Sequence, residues 1–205
     1  MSSKDIGILG GTFNPIHNQH LLLAKKAYEL FQPDKILLIP SGISYLKEGT
    51  NVLPADKRYE MCRLAVNDIP YIELSDIELK RKGNSYTCDT LKELSLQYPD
   101  AEFYYIIGAD TLFMLENWRN PEYIFSNCIL TVASRIDRNN YTDEELKQKI
   151  TYYEKRYDAR IRVLEINISD LSSSMIRQAA AKGEDIRSFV PEAVADYIIK
   201  NGLYR

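Results

Sequence analysis
The chain has 205 residues, with 26 Lys and Arg against 29 Asp and Glu, two His and three Cys. An apolar share of 45% beside 27% charged residues excludes a disordered chain and suffices for one core, while a formal charge of −3 supplies no positive field to recruit nucleic acid or an anionic membrane. No run approaches the roughly 18 apolar residues of a membrane span and the start reads without a signal peptide; the scattered Cys62, Cys88 and Cys128 are too few for a disulfide framework and fit a reducing cytoplasm.

Short β-rich runs alternate with segments of helical period. The strand Ile6–Leu9 precedes a helix over Leu21–Phe31, and Lys35–Pro40 is an unbroken apolar strand of the kind that parallel sheets cover on both sides. Gly42–Asn51 reads as a mobile loop before a helix at Ala55–Val66. Strands follow at Tyr71–Leu74, Phe103–Ile107, Cys128–Ala133 and Ile161–Ile166, with helices at Thr87–Gln97, Asp110–Leu115 and Asp143–Tyr157 between them. The last forty residues change character, to helices at Ser172–Ala181 and Pro191–Lys200, with Pro191 at a first helical position and Gly202 just past the end. This order implies an α/β, Rossmann-like, doubly wound and mostly parallel sheet with helices on both faces and a small C-terminal helical extension. It is expected to form a single domain, with 1–168 as the α/β core and 169–205 completing the site.

Chemistry concentrates in two places. The first strand runs into Gly10-Gly-Thr-Phe-Asn-Pro-Ile-His17-Asn-Gln-His20, where glycines admit a ligand to the backbone and the next helix offers free N–H groups to an anion. The only two His of the chain lie three residues apart in this turn. Such a pair could bind a metal, act as acid and base, donate to phosphate oxygens, or merely cap and pack. Without a further His or nearby Cys the metal reading is weak, and the glycines favour phosphate. The second place is Ser172-Ser-Ser-Met-Ile-Arg177, a serine-rich helix start with an Arg one turn in, suited to phosphate and equally to simple capping.

Together these segments resemble the H-x-G-H and I-S-S-T-x-[IV]-R signatures of the nucleotidylyltransferase superfamily. Over essentially the full length the chain resembles its nicotinate-nucleotide adenylyltransferase family, through Gly83-Asn-Ser-Tyr-Thr-Cys-Asp-Thr-Leu91, Ile106-Ile-Gly-Ala-Asp110, Trp118 and the ending Val190-Pro … Tyr197-Ile … Gly202-Leu-Tyr204. The resemblance implies transfer of adenylate from ATP to nicotinate mononucleotide, with Mg²⁺ held mainly by the ATP phosphates and no protein metal site. It assigns ATP to Gly10, Gly11, Thr12, Phe13, His17, His20, Gly108, Asp110, Arg135, Ser173, Ser174 and Arg177, of which His17, His20 and Arg177 are catalytic. Nicotinate mononucleotide falls to Lys47, Ser85, Tyr86, Thr87 and Trp118. A ribose contact at Asp110 competes with a helix cap, stacking by Trp118 with a core role, and contacts at Arg135 and Lys47 with solvated side chains.

Three positions depart from the family pattern: Gln19 for the usual Gly, Asn14 for the commoner Asp, and Ser44-Tyr-Leu-Lys47 where many members carry P-P-H-K. Rival readings are transfer to nicotinamide mononucleotide or phosphopantetheine, and a catalytically weakened nucleotide-binding protein with Gln19 as the lesion. Retention of His17, His20 and Arg177 argues against the last. Neither a nucleic-acid nor a membrane partner is expected, and homo-oligomerisation is left open.

Overall fold
Six parallel strands pair in the order β3-β2-β1-β4-β5-β6: β1 (Lys4–Gly11), β2 (Lys35–Pro40), β3 (Ile72–Leu74), β4 (Ala101–Gly108), β5 (Ile129–Arg135) and β6 (Arg160–Ile166). A computed structural model describes residues 4–42, 52–135, 141–166 and 171–205, without the Arg135 side chain. Residues 43–51, and with them Lys47 and most of the expected loop, lie outside that description. Every pairing in the sheet is parallel, a stricter outcome than the mostly parallel sheet expected.

The strands are apolar on both sides because both sides are covered. With period two, Ile6 and Ile8, Leu37 and Ile39, Phe103, Tyr105 and Ile107, and Leu130 and Val132 enter one core. That core is closed by α3 (Thr87–Gln97), α4 (Ala109–Met114), α5 (Pro121–Asn127) and α6 (Asp143–Tyr157) through Leu91, Leu112, Phe125 and Tyr153. The alternate positions Leu9, Ile36, Leu38 and Ile106 face the second core, covered by α1 (Asn18–Phe31), α2 (Ala55–Val66), α7 (Ser173–Ala181) and α8 (Glu192–Lys200). The C-terminal helices are thus part of this second core, with Ile176, Val194 and Ile198 buried.

A short helix and the start of α8 differ from expectation. The seven-residue α5 was not anticipated, although Asn120 caps it through its side chain and Pro121 opens it. Pro191 is the N-cap of α8 rather than its first turn, while Gly202 follows the C-cap Asn201 with φ of 58°.

The chain order makes one crevice special. From β1 the chain moves outward to β2 and β3, then returns to the opposite side of β1 as β4. Neighbouring loops at the C-terminal ends of β1 and β4 therefore leave in opposite directions and open a cleft.

Candidate active site
That cleft holds a cavity of about 290 Å³, lined by the ends of β1 (Leu9, Gly10, Gly11) and β4 (Ile106, Ile107, Gly108), by Thr12 and His20 below, and by Ser85, Tyr86, Thr87 and Trp118 opposite. Nine of the residues that the sequence singled out thus meet around one space: Gly10, Gly11, Thr12, His20, Gly108, Ser85, Tyr86, Thr87 and Trp118.

The turn after β1 is tightly built. A Cβ on Gly11 would lie 2.9 Å from the Phe13 ring, and buried Phe13 takes a left-handed φ of 46°, a conformation that costs a bulky residue of order 1 kcal/mol and needs surrounding structure to hold it. Phe13 does not line the cavity; its ring supports His20 edge-on, with centroids 5.0 Å apart. His17 is the N-cap of α1 and is buried. Its ring stacks on His20 at 3.7 Å. The His17 backbone N–H donates to His20 Nδ1 at 3.2 Å, so the proton of a neutral His20 ring belongs to Nε2. The pair is therefore layered, with His20 at the cavity wall and His17 behind it. Gln19, the second residue of α1, is half-buried and is not a lining residue.

The serine-arginine segment, some 160 positions later, reaches the same turn. Ser172 caps α7, accepting from the Met175 N–H at 3.3 Å. Ser173 Oγ donates to the Pro15 carbonyl at 2.9 Å, and Arg177 Nη1 donates to the Asn14 carbonyl at 3.0 Å. Ser174 Oγ accepts from Arg177 Nη2 at 3.4 Å. Asn14 is a junction: its Oδ1 accepts from the Tyr204 hydroxyl at 2.9 Å and from the Leu53 N–H at 3.3 Å. Burial pushes the Tyr204 phenol well above its ordinary pKa, which keeps it a donor. An acceptor is needed at residue 14, and Asn provides one without a carboxylate charge.

On the opposite wall, Thr87 opens α3 and its hydroxyl meets the Tyr105 hydroxyl at 3.1 Å. Buried Ser85 accepts from the Gly42 N–H at 3.2 Å. Trp118 is half-buried at the wall, its ring edge-on to Tyr105 at 6.4 Å. Asp110 is exposed in the first turn of α4, whose N-cap is Gly108; it neither caps that helix nor lines the cavity. Arg135 ends β5, and its side chain, like Lys47, lies outside the description.

The sequence reading missed two buried charges that organise this site. Arg58, only 2% exposed, donates from Nε to the Leu53 carbonyl, from Nη1 to the Thr12 carbonyl and from Nη2 to the Gly42 carbonyl, at 3.0, 2.8 and 3.0 Å. It ties the turn after β1 to the segments at Gly42 and Leu53. A signal was available: Arg58 shares the helical stripe of buried Met61, Cys62 and Ala65. The second is Glu78, buried at the wall, accepting from Thr90 Oγ1 at 2.7 Å. Burial raises its carboxyl pKa above the ordinary value despite the Thr90 and Ser85 hydroxyls. A Cβ on Gly42 would lie 2.5 Å from the Glu78 carbonyl, so only glycine lets these two strands of chain touch.

Among the described residues, no three His, Cys, Asp or Glu side chains cluster as a metal cage, the three cysteines are free and buried, and no helix is long and apolar enough to cross a membrane.

An open parallel sheet with a glycine-lined cavity at its switch point, flanked by a histidine pair and a serine-capped helix, defines a nucleotidyltransferase-type site; residues 8–179 match the cytidylyltransferase-like family model. A protein of Lachnoclostridium phytofermentans named as a probable nicotinate-nucleotide adenylyltransferase is 43% identical over 98% of this chain and 99% of its own, and one of Clostridium acetobutylicum bearing that name is 40% identical over the same shares. The chain belongs to the nicotinate-nucleotide adenylyltransferase family. The fold agrees with that of a Plasmodium falciparum nicotinic acid mononucleotide adenylyltransferase solved in complex with NaAD, at a TM-score of 0.80 and 23% identity over 98% of this chain and 97% of that one.

Proposed function
We propose that the protein transfers the adenylyl group of ATP to nicotinate mononucleotide. A 5′-phosphate oxygen of the mononucleotide bonds to the α-phosphorus of ATP as the bond to the β-phosphate oxygen breaks, yielding nicotinate adenine dinucleotide and pyrophosphate. The nucleophile is already an anion, so no side-chain nucleophile is needed; the protein must align two mutually repelling anions and neutralise the charge on the transferring and departing groups.

The observation that carries this reading is the meeting of the His17–His20 turn with the start of α7, joined by the Arg177 and Ser173 bonds to Asn14 and Pro15. His20 Nε2–H and the Arg177 fork then act on the phosphates, with His17 orienting His20. Ser173 and Ser174 hold the pyrophosphate at the N-terminus of α7, where the helix dipole favours an anion. Gly10, Gly11, Thr12 and Phe13 shape the nucleotide bed, with Gly108, Asp110 and Arg135 on the adenosine side. Ser85, Tyr86, Thr87 and Trp118, with Lys47, form the mononucleotide side, where Trp118 stacks on the pyridine ring.

The groups here are imidazole, guanidinium, hydroxyl and backbone N–H, with the Glu78 carboxylate alone on the wall, a set that suits phosphate oxygens better than it cages a hard cation. Mg²⁺ would be held by the ATP triphosphate rather than by a protein cage, and would supply neutralisation of phosphate charge there. Residues 1–205 act as one domain, a reading supported by the burial of α7 and α8 in the second core, with 1–168 supplying the α/β part and 169–205 completing the ATP side. Free buried cysteines suit a reducing cytoplasm.

The test is pyrophosphate release from ATP with nicotinate mononucleotide, nicotinamide mononucleotide and phosphopantetheine in parallel. Fast release with the first supports the proposal. Faster release with either of the others refutes the acceptor assignment, and ATP binding without release refutes catalysis.

A further inference from the structure
Among the described residues, Arg119 is the only Lys or Arg whose side chain lines the cavity. It follows Trp118 and returns toward the first turn of α3. Its guanidinium carbon lies 4.7 Å from the Tyr86 ring centroid, and Nη1 lies 3.6 Å from Asp89 Oδ2. The Tyr86 ring face and the Asp89 carboxylate hold this cation at the Tyr86–Trp118 rim, although its side chain is 61% exposed. The contact to Asp89 exceeds hydrogen-bond distance, so it orients the charge without using up the fork's five donors.

We propose that Arg119 is a specificity-determining residue that favours an acceptor bearing a carboxylate over the corresponding carboxamide. The proposal rests on the adenylyl-transfer reading with the pyridine ring at Trp118. Both acceptors carry the same phosphate and differ by one charge on the ring, so a cation fixed at that rim acts on the difference between them. A largely exposed cation biases such a choice by at most about 5-fold, and salt weakens it.

The test is kcat/KM for nicotinate and nicotinamide mononucleotides, read by pyrophosphate release at low and high salt, in the native enzyme, Arg119→Gln and Arg119→Lys. Arg119→Gln should lower the acid value about 5-fold and leave the amide value unchanged, whereas Arg119→Lys should stay within about 2-fold of the native acid-to-amide ratio. Added salt should erode the native ratio and not that of Arg119→Gln. An equal fall for both acceptors, an unchanged ratio, or equal losses in the Gln and Lys variants would overturn the proposal. Native enzyme that releases no pyrophosphate with the acid would refute the underlying transfer reading before any substitution is made.

Discussion

Replacing Arg58 with Met probes the frame on which the nucleotide bed rests. The native guanidinium satisfies three backbone carbonyls, of Leu53, Thr12 and Gly42, from within an enclosed site. A hydrogen bond from a charged donor contributes about 1.5–3 kcal/mol, and an orphaned buried acceptor costs about 1–3 kcal/mol. Burial of the guanidinium, which lowers its pKa, offsets part of that. Met fills much of the volume, so the net loss should be about 3–5 kcal/mol, as expected when one partner of a buried charged cluster is removed. For a chain of this length that lowers the melting temperature by roughly 6–20 °C. Thr12 lines the cavity and Gly42 adjoins Ser41, which also lines it, so nucleotide affinity should fall with stability. Arg58→Lys keeps the charge but loses the fork, and should fall between the two. Scanning calorimetry gives the stability and ATP titration the affinity. A melting point for Arg58→Met within about 2 °C of native would refute the reasoning.

His20→Ala should lower kcat about 10²-fold or more with the circular dichroism spectrum unchanged, because it removes a donor aimed at charge developing in the transition state; an effect confined to the KM for ATP would contradict that role. Arg177→Lys should lower kcat/KM for ATP roughly 10-fold, since a point charge cannot bond Asn14 and hold a phosphate through one planar fork; native kinetics would count against it. Glu78→Gln should gain stability relative to the native chain as pH rises. The raised folded pKa of Glu78 means that its contribution is fully present below the ordinary carboxylate pKa and is lost as pH climbs through the folded value. Melting-point differences that stay flat from acid to neutral pH would exclude this.

The sheet was legible because fully covered parallel strands leave unbroken apolar runs such as Lys35–Pro40, and because Gly-Gly followed by two His is a rare junction. Other features depend on partners distant in the chain. Helix α5 is too short to show a period, and Tyr123-Ile-Phe125 reads as easily as a strand; only the Asn120–Pro121 start betrays it. The burial of Arg58 is decided by three carbonyls from three different segments, so its helical stripe could raise the question but not answer it. Trp118 left core and cavity roles balanced in the sequence, and it serves both, packing edge-on to Tyr105 against the first core while lining the cavity. For Asp110 the sequence offered a cap or a ribose contact; the cap falls to Gly108.

The most direct test of the account is a crystal structure with a non-hydrolysable ATP analogue. The triphosphate should bridge His20 Nε2 and the N-terminus of α7, with oxygens within about 3.2 Å of His20, Arg177 and the Ser173 or Ser174 N–H. An analogue bound with its phosphates away from either the histidine turn or the serine-capped helix would contradict the claim that these two segments grip one polyphosphate.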